Sequence, residues 1–239
     1  MRVEVLGVGF DDMTMDQAVA QAQALIEWRT CGYVVTPNPE IVWLCRREPK
    51  LGALVEQASL VLADGVGITL GARILGRPLK SRLPGIDFVS SLLMEMARRG
   101  QSVFLYGAKP GVAQAAGEKL AALHPGLRIV GTADGYGDDA LVLRAVRAAA
   151  PDLLLVCLGA PKQERWMATH QGALPVGLMA GLGGALDVFA GEVERAPEKW
   201  RELGLEWLYR LLKEPRRAKR MLRLPLFLLA VVGQRLRRK

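Results

Sequence analysis

The chain is poor in the residues on which several kinds of chemistry depend. It has two histidines and three cysteines in 239 residues. Cys31, Cys45 and Cys157 are too few and too scattered for a disulfide framework or a structural zinc site. Cys45 and Cys157 sit in apolar runs, where a small buried thiol is the expected state. His124 precedes a Pro-Gly turn and His170 ends a helical stretch, and neither has partners at metal or triad spacing. No serine occupies a nucleophile elbow, and the G-x-G-x-x-G and Walker A patterns are absent. So is the D-x-D pattern of metal-dependent sugar transfer. The opening "MRVEVLGVGF" has no apolar h-region, so no signal peptide is expected. With this cysteine usage, a reducing cytoplasm is the expected compartment. No long linker, low-complexity tract or fixed-period repeat divides the chain.

What is present is a globular composition, 51% hydrophobic and 23% charged, enough for one large domain with an appendage. The net charge of +8 is confined to the end of the chain. Residues 1–189 hold 18 basic and 18 acidic side chains, whereas residues 190–239 hold 14 basic and 6 acidic.

Short Leu- or Val-rich runs alternate with Ala-rich amphipathic stretches. "VEVLGVGF" reads as a strand, and Thr14 with Gln17 forms a capping box for the helix "MDQAVAQAQALIEW". Strand-then-helix segments follow to "PVGLMAGLGGALDVFAG". Apolar strands in this alternation predict an α/β fold with a mostly parallel sheet covered on both faces. Such sheets bind ligands at the carboxyl ends of their strands. The polar clusters "TPNPE", "ADG", "YGAKPG", "TADGYG", "LGAPKQE" and "AGLGGALD" all fall there, and so describe one pocket.

Asp64, at the tip of the run "LVLADGVG", could cap a helix, hold a ribose, bind a metal or take a proton. Gly107 and Lys109 belong to a Gly-rich strand-to-helix turn suited to phosphate, although a plain turn fits equally well. Gly184 and Asp187, in "GLGGALD", suit close backbone approach and hydrogen bonding to a base or ribose; tight helix–sheet packing is the alternative. Gln163 has an amide that both donates and accepts, as a sugar hydroxyl requires. Asn38, between two prolines, is expected to cap a helix opened by Pro39. Arg82 could meet phosphate or carboxylate, and Asp87 could cap the next helix.

The tail places Lys213, Arg216, Arg217 and Arg220 on one helical stripe. Leu224–Val232 then supplies nine apolar residues, against the roughly 20 needed to span a bilayer. Apolar and basic together predict a segment lying at an anionic membrane surface. Nucleic acid is the weaker match, since no aromatic platform accompanies the charge.

The motifs "TPNPE", "LADGVG", "RLPGID", "YGAKPGVA", "GTADGYG", "PDLLLVCLGAPKQE", "GLGGALDVFAG" and "RAPEKWRELGLEWLYRLLKEPRR" occur in an order that resembles the WecG/TagA/CpsF glycosyltransferase family. The resemblance covers residues 3–220. It implies a Rossmann-like core over residues 1–195 and a basic helical appendage over 196–239 that aids membrane association. It implies inverting transfer of N-acetylmannosamine, or its uronic acid, from a UDP donor to an undecaprenyl-diphosphate-linked N-acetylglucosamine. No metal or other cofactor is required, and attachment to the inner face of the cell membrane is peripheral. Self-association through the core is compatible with it.

By the same resemblance Asp64 is the general base. Thr36, Asn38, Arg82 and Gln163 touch the sugars, and Tyr136 and Asp187 lie near the nucleotide. Arg210, Arg217 and Arg220 are the candidates for diphosphate contacts. Two rival readings are a nucleotide-linked dehydrogenase or epimerase and a non-catalytic membrane-bound nucleotide-sugar sensor.

Overall fold

The first departure from the sequence reading is at the amino terminus. "VEVLGVGF" is a hairpin rather than one strand: β1 (Arg2–Val5) and β2 (Val8–Asp11) pair antiparallel. The turn residues Leu6 and Gly7 are both left-handed, with φ of 53° and 85°, as a tight two-residue hairpin turn needs. Gly7 is the one turn-forming residue at the reversal, and no Asn, Asp, Ser or Pro stands beside it to mark the turn. The computed structural model of the chain describes residues 1–213 and 223–237.

Helix α1 (Met15–Glu27) starts on the expected capping box. The Thr14 N–H donates to Gln17 Oε1 at 3.0 Å, and the Gln17 N–H to Thr14 Oγ1 at 3.4 Å. Then follow β3 (Gly32–Val35), α2 (Pro39–Arg47), α3 (Pro49–Glu56), β4 (Leu60–Val61), α4 (Val66–Ile74) and α5 (Gly85–Arg98). The second half runs β5 (Ser102–Gly107), α6 (Val112–Leu123), β6 (Arg128–Ala133), α7 (Asp139–Ala149), β7 (Leu153–Cys157) and α8 (Lys162–His170). It closes with β8 (Leu178–Gly181) and α9 (Ala185–Phe189). The end of the chain adds α10 (Glu198–Glu202), α11 (Glu206–Lys213) and α12 (Arg223–Arg237).

Strands β3 to β8 form one six-stranded sheet in the order β4-β3-β8-β7-β5-β6, every pair parallel. This is the α/β architecture expected, with helices on both faces. Successive strand residues serve opposite layers. Tyr33, Val35, Phe104, Tyr106, Leu154, Val156 and Met179 pack into one core with residues of the hairpin, α2, α3, α4, α7, α8 and α12. Val34, Val103, Leu105, Leu153, Leu155, Leu178 and Ala180 pack into the other with α1, α5, α6 and α9. The hairpin also closes the sheet at β4: Asp11 Oδ2 accepts the Val61 N–H at 2.9 Å, and Arg2 donates to the carbonyls of Glu56 and Ala58. An edge with its backbone groups occupied is protected from pairing with another chain.

Two features of this layout place the site. The chain leaves β3 for α2 on one face of the sheet and leaves the adjacent β8 for α9 on the other. A crevice therefore opens between their carboxyl ends, the switch point at which open parallel sheets take ligands. The second feature is α12. The apolar run Leu224–Val232 lies within this helix, and its Phe227 and Val231 are fully buried in the core shared with α4 and the hairpin. Part of the tail's hydrophobicity is thus accounted for by packing against the body. Leu226, Leu229, Val232 and Leu236 stay exposed.

Candidate active site

A cavity of about 420 Å³ occupies the switch point. Thr36 and Asn38 reach it from the end of β3, Asp64 from the end of β4, Arg82 from the loop before α5, Gln163 from α8, and Gly184 and Asp187 from the end of β8 and α9. Seven of the residues singled out in the sequence therefore share one wall system.

Asp64 is held by the strand ends around it. The Leu62 N–H donates to Val35 O at 2.9 Å, the Leu83 N–H to Ala63 O at 2.8 Å, and the Asp64 N–H to Pro37 O at 3.4 Å. Gly65 follows with φ of 88° and turns the chain into α4. Its carboxyl-bearing residue is half-buried on the cavity wall. Asn38 caps α2 as expected, its Oδ1 accepting the Ile41 N–H at 3.1 Å. Beside it, Gly85 permits the start of α5 to approach Thr36, since a Cβ there would stand 3.0 Å from Thr36 Oγ1. Asp87 lies inside the first turn of α5 and pairs with Arg195 at 2.6 Å. Arg82 donates from Nη2 to Arg201 O at 2.8 Å, tying the cavity wall to α10.

Gln163 is only 3% exposed and has a defined amide orientation. Its Oε1 accepts the Gly183 N–H at 2.8 Å, and its Nε2 donates to Glu164 Oε1 at 3.0 Å. A flipped amide would face donor to donor and acceptor to acceptor. Glu164, 1% exposed, has its pKa raised, chiefly by burial, and its Oε2 is without a hydrogen-bond partner among the described residues. Tyr33 and Cys45 behind it are each pushed up to about 12, first by burial and then by the charge of Glu164.

Gly107, Lys109 and Tyr136 do not line the cavity. Gly107 has φ of 132°, and a Cβ on it would stand 2.3 Å from the Cys157 carbonyl oxygen, so close packing against β7 already demands glycine there. Lys109 is exposed on the turn before α6. Tyr136 is 75% exposed, and its N–H donates to Asp134 Oδ1 at 2.8 Å. All three lie at the carboxyl edge of β5 and β6, beside the start of α8, where Lys162 Nζ donates to Gly135 O at 3.2 Å. They form a shelf adjoining the cavity. The side chain of Arg210, and all of Arg217 and Arg220, lie outside the described residues.

The structure adds residues that the sequence reading did not single out. Glu40, Glu206, Trp207 and Arg223 also line the cavity. Arg223, at the start of α12, pairs with Glu40 of α2 at 3.0 Å. The sequence signal for Glu40 was its place in "TPNPE"; nothing local marked Arg223 or the deep burial of Glu164. Among the described residues, no group of three or more His, Cys, Asp or Glu could hold a metal ion.

The wall thus combines a fixed carboxylate, amide and hydroxyl groups, cations, and the amino ends of several helices. Those of α4, α5 and α8 begin at Gly65, Pro84 and Pro161, none of which supplies a side-chain cap. Uncapped amide ends favour anionic ligands. The family model for "Glycosyl transferase WecG/TagA/CpsF family" matches residues 3–239. The chain belongs to the WecG/TagA/CpsF glycosyltransferase family. Two proteins similar to this chain carry the name N-acetylglucosaminyldiphosphoundecaprenol N-acetyl-beta-D-mannosaminyltransferase. One, from Bacillus spizizenii (strain ATCC 23059 / NRRL B-14472 / W23), is 38% identical over 201 residues, 84% of this chain and 78% of that protein. The other, from Staphylococcus aureus (strain MW2), is 36% identical over 231 residues, 95% and 91% of the two chains. As a member of the family, the chain is a glycosyltransferase, and the cavity at its sheet switch point is its candidate active site.

Proposed function

We propose that this enzyme transfers N-acetylmannosamine from a UDP donor to N-acetylglucosamine carried on undecaprenyl diphosphate, with inversion at the anomeric carbon. The observation that carries the reading is Asp64 on the wall of a cavity it shares with Thr36, Asn38, Arg82, Gln163 and Asp187. In the proposed step the Asp64 carboxylate takes the proton of the acceptor hydroxyl as that oxygen forms its bond to the anomeric carbon. The bond from that carbon to the UDP oxygen breaks, and UDP leaves with the electron pair. Thr36, Asn38 and Gln163 orient sugar hydroxyls, while Asp187 and the shelf at Gly107, Lys109 and Tyr136 take the nucleoside end.

The negative charge on departing UDP meets the helix amino ends, Arg82 and Arg223, so the proposal includes no metal. The acceptor is lipid-borne, and peripheral attachment to the inner face of the cell membrane belongs to the same proposal. Exposed Leu229, Val232 and Leu236 on α12 support it, and no described helix is long and apolar enough to cross a bilayer.

The test is UDP release by the purified protein with a panel of UDP-sugars and the undecaprenyl-diphosphate acceptor, with and without a chelator. Acceptor-dependent release that survives chelation is expected, fastest with UDP-N-acetylmannosamine. Asp64→Asn should lower turnover by about 100-fold or more, within the range of a positioned general base, with UDP binding retained. Turnover unchanged in Asp64→Asn would remove Asp64 as the base.

A further inference from the structure

Gln163 and Glu164 are neighbours in the first turn of α8, but only Gln163 lines the active-site cavity. Glu164 is buried and does not line it. Its carboxyl is poorly provided for. The one side-chain partner it has among the described residues is Gln163, and Oε2 has none. Tyr33 is near enough to feel its charge, yet spends its hydroxyl proton on the Leu54 carbonyl oxygen.

The amino end of α8 favours an acidic side chain, but an exposed carboxylate would serve it as well. Burying a carboxyl with one oxygen unbonded costs stability. An apolar side chain of similar volume would avoid that cost. The needs of the fold therefore do not account for a carboxyl at position 164.

Its one side-chain bond matters to the site instead. A primary amide has two N–H donors and two acceptor lone pairs. In Gln163 the Gly183 N–H takes one lone pair at 2.8 Å, and Glu164 Oε1 takes one N–H at 3.0 Å. One N–H and one lone pair remain for the cavity that Gln163 lines. Gly183 offers a donor and Glu164 an acceptor, so the two partners select the same orientation of the amide. Gly181 bounds it on another side, since a Cβ there would stand 3.1 Å from Nε2. Without Glu164, the amide could pivot about its bond to Gly183 and carry the free N–H out of place.

We infer that Glu164 is a positioning residue for sugar transfer, holding the Gln163 amide so that its free N–H and lone pair meet a hydroxyl of the transferred sugar. This rests on the proposed transfer from a UDP-sugar. Glu164 itself touches no substrate and acts through Gln163. What position 164 must supply is an acceptor rather than a charge, and a glutamine also supplies one.

The experiment compares wild type with Glu164→Gln, Glu164→Met, Gln163→Ala and the double variant Gln163→Ala/Glu164→Met, each as the full chain. It reads kcat/KM for UDP-N-acetylmannosamine and, by calorimetry, the affinity for UDP. Glu164→Met should lower kcat/KM about tenfold, the worth of one buried hydrogen bond. UDP affinity should not change, because Gln163 meets the sugar and not the nucleotide. Glu164→Gln should stay within about twofold of wild type, and Glu164→Met should cost nothing further once Gln163 is alanine. Unchanged turnover in Glu164→Met, equal losses in Glu164→Gln and Glu164→Met, additive losses in the double variant, or UDP affinity falling in step with kcat/KM would each overturn the inference.

Side-chain amide resonances of isotope-labelled glutamine read the same bond without turnover, with Gln163 assigned by its loss in Gln163→Ala. The Nε2 proton bonded to Glu164 should resonate downfield in wild type and Glu164→Gln and move upfield in Glu164→Met. A resonance that does not move in Glu164→Met overturns the inference. The expected shifts in a protein that transfers no sugar would leave Glu164 as the residue that sets Gln163 and remove the proposed reaction.

Discussion

Gly181→Ala should damage sugar transfer through one residue, Gln163. A methyl at Gly181 would stand 2.5 Å from Met167 Cε, 3.1 Å from Gln163 Nε2 and 3.3 Å from Gln163 Cδ. Met167 meets it with the free end of a flexible side chain, which can rotate away at small cost. Gln163 cannot do so freely, because its amide is pinned between the Gly183 N–H at 2.8 Å and Glu164 at 3.0 Å. Moving the amide breaks one of these bonds in a buried setting, at a cost of about 1–2 kcal/mol. If that cost falls on the transition state, kcat/KM for the donor drops about 5- to 30-fold. Initial rates of UDP release over a donor series measure it. A double-mutant cycle decides the mechanism: Gln163→Ala and Gly181→Ala/Gln163→Ala should be equally impaired. Additive losses, or a Gly181→Ala enzyme with unchanged kcat/KM, would refute the reasoning.

Phe227→Ala removes a fully buried ring from the face of α12 that meets α4. A loss of about 3–5 kcal/mol in docking is expected, read as faster amide hydrogen exchange in α12 with the sheet strands unchanged. Glu164 has a raised pKa in the fold, so its contribution favours the protein below the unfolded value of 4.5 and is lost as pH rises through the folded value. Glu164→Gln keeps an acceptor for Gln163 and has no proton to lose. It should therefore melt higher than wild type at mildly alkaline pH, with the gain vanishing in acid; a constant difference across pH would sink this account.

Much of the architecture was legible because it is local. The Thr14–Gln17 capping box, Pro39 opening α2 behind Asn38, and the apolar runs of β5, β7 and β8 are set by neighbours within a few residues. Strand ends carry polar residues because they leave the core, so Asp64, Gln163 and Asp187 could be picked out before any coordinates. The hairpin at Leu6–Gly7 could not, since backbone twist rather than polarity makes that turn. Nor could the shelf at Lys109 and Tyr136 be separated from the cavity, because strand order decides which strand ends are neighbours.

The sequence by itself determined an α/β body with a functional edge, a neutral core region and a basic end, because periodicity, caps and charge are properties of the chain read in order. It also carried the family's motifs in their order. Only the tertiary structure decided that β8 lies between β3 and β7, which brings Thr36 and Asp187 to one crevice. It decided, too, which side of α12 is core. In a run where Leu224 to Val232 are all apolar, no face stands out. A Cβ on Gly67 would stand 2.6 Å from Pro39 Cγ and 2.8 Å from Leu224 Cδ1, and one on Gly71 would stand 3.3 Å from the Phe227 ring, so these two glycines on a distant helix make room for the side bearing Leu224 and Phe227. The opposite flank carries Ala230 and Gly233, and a Cβ on Gly233 would meet nothing within 4 Å.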